Sequence, residues 1–434
     1  MTQNEIYSEK AHRLIPGGAH TYSRTDETFA WNAPKVIEKC KGAYCWDVDG
    51  EKWLDFSMAC RSVTVGYNYD RISQAAIEQI MNGNTATKAS KIEIDAAELL
   101  TDLIPWVDMV KFAKNGSTVT SAATKLARAY SGKKYILRCR EHSFFSYDDW
   151  FIGDTACPRG IPEEVRELTL QFSYNDIESV KKAFDKHKGE IACMILEPVE
   201  FEEPKDNFLQ KAKDICHENG AVFILDEMIS GFRWHLLGAS KYYGVEPDLV
   251  TYGKGMANGF SMAALGGKRE IMELGGIEKI GEERVFLVST THGAEMSALG
   301  AFVETMNVYR ELDVVGKLWK TGNQILNGLN SIAKELGIEN EFYTQGAACS
   351  FNILTLDKDR TPSNAYRALF FQEMAKKHIL MNSVSLCYEH GDEEINIMLD
   401  AVRSALKVYR AALEEGIDKY LEGPEIKPVF RKYN

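Results

Sequence analysis

The chain has 434 residues, 45% of them hydrophobic and 26% charged, the make-up of an ordinary globular protein. At roughly 150 residues per domain that length suggests two or three domains, enough to bury a core without a disulfide or metal staple. A net charge of −12 argues against nucleic acid as a partner, because binding it needs a basic face.

The N-terminal stretch MTQNEIYSEKAHRL carries charges throughout, so neither a signal peptide nor a membrane anchor is expected there. No uninterrupted apolar run approaches the roughly 20 residues of a membrane helix. Nine scattered cysteines without a CxxC pair fit a reducing compartment, so a cytoplasmic protein is expected. IPGGAHTYSR then reads as a glycine-punctuated loop, and VIEKCKGAYCWDVDGEKWLDF as short strands with a turn at Asp49-Gly50.

The middle of the chain alternates. The segment 120–132, TSAATKLARAYSG, has a helical pattern that ends in glycine. The runs KYILRC, IACMILEPV, AVFILDE and DLVTYG are short and apolar without alternation, as in parallel strands buried on both faces. Helical segments such as FLQKAKDICHENG lie between them, which predicts stacked βα units. From about Asp313 onward, VGKLWKTGNQILNGLNSIAKEL, CSFNILTL and INIMLDAVRSALKVYRAAL read as helix, strand and helix. The expected fold class is therefore α/β: a large domain with a mostly parallel, doubly wound sheet over 61–312, and a smaller α+β domain over 313–434. Residues 1–60 are expected to form an N-terminal segment packing on both.

In doubly wound sheets, ligands bind beyond the carboxyl ends of the strands. Three polar features fall at such ends: Asp226 after AVFIL, Lys254 after DLVTYG, and the loop KNGST (114–118) leading into a helix. That helix N-terminus can hold an anion, although Gly-Ser-Thr before a helix is more often a plain cap. Neither a P-loop nor a GxGxxG fingerprint is present, so a nucleotide is not indicated. A buried aspartate stays charged only beside a positive partner, and a salt bridge or a helix cap is the ordinary alternative. A protonated heterocyclic nitrogen would also serve. A partly desolvated lysine can form a Schiff base. An anion cradle, a strand-end Asp and a strand-end Lys are together what pyridoxal phosphate requires.

The stretch ILDEMISGFRWHLLGASKYYGVEPDLVTYGKGMANGFSMAALGGKREIM resembles the cofactor core of class III aminotransferases, in the glutamate-1-semialdehyde aminomutase-like branch. LIPGGAHTYSR, GAYCWDVDGEKWLDF, RSVTVGYNY, KNGSTVTSAATKLARAY, MILEPV and STTHGAE extend the resemblance in order over roughly residues 11–400. It implies fold type I, pyridoxal 5'-phosphate as cofactor, and a homodimer with shared active sites. It further implies that Lys254 forms the Schiff base and moves protons, and that Asp226 keeps the pyridinium nitrogen protonated. Gly116, Ser117 and Thr118 would bind the cofactor phosphate, and Thr290 would reach the phosphate of the neighbouring subunit. Met228 would pack against the ring, or serve as an ordinary core residue.

The sequence departs from that pattern in three places. REHSFFSYDDWF replaces the family's tyrosine-histidine-glycine, and counting back from DDWF favours Phe144 as the ring-stacking aromatic, with Phe145 or His142 as rivals. Ile229 stands where many class III enzymes carry a glutamine. The segment FIGDTACPRGIPEE is short where the aminomutases have a long glycine-rich gate, and MNSVSLCYE before His390 lacks their glutamate–alanine–glycine segment.

These last departures favour transamination over an internal amine shift. The expected reaction is transfer from an amino acid donor, glutamate by preference, to a polar, sugar-derived or phosphorylated aldehyde or ketone. A 2,1-aminomutase and a catalytically silent cofactor-binding protein are the alternatives; a silent protein needs neither Lys254 nor Asp226. Arg24 and Arg61 are the expected partners of an anionic substrate, against surface ion pairing. Glu197 is a further substrate-contact candidate against a loop-bracing role, and His20 and His292 are candidates for orienting substrate. No histidine or cysteine cluster has metal-ligand spacing.

Overall fold

The computed structural model describes residues 1–433. The chain divides into two units, Met1–Tyr69 with Asp313–Val429, and Asp70–Leu312 with the residues from Phe430 onward. The N-terminal segment clusters with the C-terminal third, and the unit that carries the large sheet begins at Asp70.

In the first unit, Gln3–Leu14 is a helix where the sequence reading placed only polar chain. Its start is a capping box of Thr2 and Glu5, and it buries no residue. With no apolar stripe to find, periodicity could not reveal it. Strands β1 (Ile37–Lys41), β2 (Tyr44–Asp47) and β3 (Lys52–Asp55) form an antiparallel meander. The strand Ile379–Leu380 adds to it in parallel beside β3. The long helices Val314–Glu335 and Asp392–Glu415 complete this unit's framework.

The second unit is built on a seven-stranded sheet. Its strands are β4 (Met109–Ala113), β5 (Tyr135–Cys139), β6 (Thr169–Phe172), β7 (Ile191–Leu196), β8 (Val222–Glu227), β9 (Leu249–Tyr252) and β10 (Ala263–Gly267). The order is β4-β10-β9-β8-β7-β5-β6. Only β10 runs against the rest. Every residue of β7, β8 and β9 is buried, which explains their unbroken apolar runs. The helix Gly116–Ser131 is capped by Asn115 and ends at Gly132, whose φ of 67° a side chain would resist. It lays Val119, Ala123, Leu126 and Ala127 on a core shared with Ile136, Ile195 and Ile224.

Leu225 is fully buried in the middle of the sheet. Leu225→Ala should lower the stability of this unit by about 2–5 kcal/mol, read as a lower urea midpoint for loss of its secondary structure.

Candidate active site

Because β4, β5, β7, β8 and β9 run the same way, their carboxyl ends share one edge of the sheet. There β8 delivers Asp226, only 1% exposed. Its Oδ1 accepts from the Met228 amide at 3.0 Å and from the Thr251 hydroxyl at 2.9 Å. Thr251 is its register partner on β9. Burial pushes the Asp226 carboxyl up to about 6, against the pull of the positive Lys254. Lys254 follows β9 by two residues and opens a short 3-10 turn, Lys254–Ala257. Its φ is 43°, left-handed backbone in a residue with a side chain, the kind of local strain that clusters at functional sites.

Met228 joins these strand ends to the third feature. A Cβ at Gly253 would collide with its sulfur, and one at Gly116 would come within 3.0 Å of it. Glycine at both positions lets the thioether lie between the backbones of the KNGST turn and of the Lys254 turn. At the helix start, Asn115 Oδ1 accepts from the Thr118 amide at 2.9 Å and the Thr118 hydroxyl at 3.0 Å. The Ser117 hydroxyl oxygen accepts from the Tyr147 amide at 3.0 Å, which leaves its proton to donate elsewhere. The first-turn amides of Gly116 and Ser117 have no acceptor inside the helix, so their positive ends point out at the same edge.

The other predicted residues have the following surroundings. Phe144 is 50% exposed and rests on Phe151 and Phe430, with centroids 5.7 and 5.9 Å apart. Phe145 is buried in the same apolar cluster as Met228. His142 is buried, and its Nδ1 accepts from the Glu197 amide at 3.0 Å. Burial lowers its pKa to about 3, so its ring is neutral. Glu197 is buried one residue past β7, and Ile229 is half-buried after Met228. Thr290 and His292 are exposed. Thr290 closes a turn by accepting from the Gly293 amide at 3.1 Å. Next to that turn, Lys114 pairs with Glu295 at 2.5 Å. Arg24, Arg61 and His20 belong to the other unit.

Sequence reasoning missed Thr251 and Asn115. Only strand register brings Thr251 to Asp226, whereas Asn115 carried a readable cap signal in N-x-x-T.

The description "Aminotransferase class-III" matches residues 28–402. The chain belongs to the class III aminotransferases. It is 34% identical over 350 residues to a glutamate-1-semialdehyde 2,1-aminomutase of Francisella philomiragia, covering 76% of this chain and 79% of that protein. Among solved structures it is similar to the FumI protein of Sphingopyxis sp. MTA144 in its PLP internal aldimine form. That match has a TM-score of 0.85 at 27% identity and covers 95% of this chain and 97% of the other. An omega-transaminase from Sphaerobacter thermophilus matches with a TM-score of 0.84 at 25% identity, over 94% and 98% of the two chains.

The protein is thus a fold type I, pyridoxal-phosphate-dependent class III enzyme of the aminomutase-like branch. The names of its relatives favour the aminomutase alternative over the transaminase expected from the sequence. The residues fit the cofactor: a buried carboxylate beside a lysine, a glycine-walled gap, and a helix terminus with open amides all meet at one edge.

Two outcomes follow from this geometry. With its pKa raised to about 6, Asp226 binds its proton more tightly in the folded cofactor-free protein than in the unfolded chain, where it titrates near about 3.9. The associated stability is complete below about pH 4 and is lost as pH rises through about 6. Asp226→Asn should flatten that part of the curve of thermal midpoint against pH, measured without cofactor. Separately, Thr251→Val removes a hydrogen bond to a charged group worth about 1.5–3 kcal/mol. It should slow turnover roughly tenfold or more while cofactor absorbance persists.

Proposed function

We propose that this enzyme moves an amino group between carbon atoms of a small anionic carbonyl compound, within one molecule, as a 2,1-aminomutase does. The observation that carries the reading is the buried Asp226 with Lys254 at the ligand edge of the sheet; the names of the curated relatives support the internal shift. Bound pyridoxal phosphate supplies an electron sink for the carbon that loses its proton. Lys254 would hold the resting cofactor covalently and, once its amine is released, would serve as the base that takes a proton from, or returns one to, the reacting substrate carbon. Asp226, held by Thr251 and the Met228 amide, keeps a proton on the ring nitrogen.

Gly116, Ser117 and Thr118 bind the phosphate, and Met228 packs on the ring. Phe144 is assigned the stacking role, and Thr290 is assigned to the neighbouring subunit's phosphate in a homodimer. Arg24 and Arg61 hold the anionic end of the substrate, and Glu197 contacts it. A cytoplasmic enzyme accords with nine free cysteines; among the described residues no helix is long and apolar enough to cross a membrane.

A second reading, transfer from an amino acid such as glutamate to a sugar-derived or phosphorylated aldehyde or ketone, is favoured by one feature. Only residues 153–162 separate the short helices Asp149–Ile152 and Glu163–Arg166, which leaves no room for a long gate. The two readings separate on products. The internal shift converts one amino aldehyde to its isomer and releases no keto acid, whereas transfer yields one keto acid per turnover. In either case Lys254→Ala should remove the cofactor band near roughly 400 nm and abolish turnover. Survival of both band and turnover would overturn the assignment of Lys254.

A further inference from the structure

The match to the class III aminotransferases ends at residue 402, whereas the residues from Phe430 onward belong to the second unit. No helix or strand includes any of residues 421–433, yet this tail is held at two points. Phe430 packs against the core cluster that contains Met228, Phe145 and Phe151. The Cys157 thiol donates to the Arg431 carbonyl at 3.2 Å, which ties down the residue after it.

What Phe430 meets there is the half-exposed ring of Phe144. The two rings are stacked, with planes 29° apart and centroids 5.9 Å apart. Phe151 meets both edge-on, at 5.7 Å from Phe144 and 6.0 Å from Phe430. These are separations at which aromatic pairs attract. Phe151 is itself buried, and the Arg138 guanidinium lies over it at 5.1 Å, paired with Asp154 at 2.7 Å.

The backbone around Phe144 is fixed separately. The Phe145 carbonyl accepts from the Thr120 hydroxyl at 2.8 Å, and the Tyr147 amide donates to the Ser117 hydroxyl oxygen at 3.0 Å. Ser117 and Thr120 lie in the first two turns of the helix Gly116–Ser131, so Phe144 stands beside the anion cradle. Those bonds fix where the residue starts. They leave the two torsions of its ring to be settled by packing, and half of the side chain has no packing. The covered half, on Phe151 and Phe430, must therefore set the orientation of the whole ring.

We propose that Phe430 is a positioning residue: stacked on Phe144, it holds that ring in the orientation from which its exposed side covers the cofactor. This deepens the function proposed above and rests on the assignment of Phe144 to ring stacking.

The test is a double-mutant cycle on the full chain. Its readouts are the dissociation constant for pyridoxal phosphate and the circular dichroism of the cofactor band, which reports the tilt of the bound ring. Phe144→Leu, which fills the space without a ring face, should raise the constant roughly fivefold or more. Phe430→Ala should raise it about threefold to tenfold, as expected for loss of one aromatic pair, and change the band's circular dichroism. Phe430→Tyr keeps the ring and should restore both to within about twofold of the unmodified enzyme. With Phe144 already replaced by leucine, Phe430→Ala should alter the constant by less than about twofold, since no ring remains to be positioned. Equal effects of Phe430→Ala in both backgrounds, or none in the unmodified one, would overturn the proposal while leaving the stacking role of Phe144 intact. If Phe144→Leu itself leaves cofactor binding unchanged, the stacking assignment fails and this role fails with it.

Discussion

The second unit is organised around one difficulty, a buried carboxylate at the end of an apolar strand in the sheet. Five buried apolar residues precede Asp226, and an isolated charge there would be driven to its neutral form. The sheet meets this cost with a hydroxyl from the next strand, a backbone amide from the following turn, and the positive Lys254. None of these neutralises it fully, which is why the carboxyl remains raised. A protonated ring nitrogen would complete the set, so the raised acid and the cofactor suit each other for a reason visible before any comparison. Parallel strand order matters because it brings β8, β9 and the β4 turn to the same edge.

Backbone strain appears where side chains must be aimed. Lys254 sits at a φ of 43°, and Met58 to Arg61 occupy the same left-handed region in series. In each case a fixed anchor lies close in sequence: the buried strand β9 for Lys254, and the Asp55 carboxylate for Arg61. Glycine would adopt either conformation more easily but would aim nothing. The strain is therefore informative about position, since a merely connecting turn has no need to keep side chains at such angles.

Much of this was legible in the sequence. Apolar runs identified the strands of the large sheet, and their ends pointed to Asp226, Lys254 and the KNGST turn. The helix Gln3–Leu14 was not legible by periodicity, because it has no buried face to generate one. Thr251 was invisible for another reason: it becomes significant only through its register with Asp226. Such relations are long-range, and a single sequence does not encode them in any local pattern. Counting along the chain points to Phe144 but cannot reveal that its ring rests on Phe151 and Phe430, since those neighbours are distant or out of register in sequence.

A helix terminus and an arginine hold an anion by different physics, and the difference bears on specificity. A helix terminus offers amides fixed by the backbone, a partial charge, and room for a group that stays put. That suits the phosphate of a resident cofactor. Guanidinium groups carry full charges on long stems, and their forks match carboxylate and phosphate alike. That suits a group which must enter and leave.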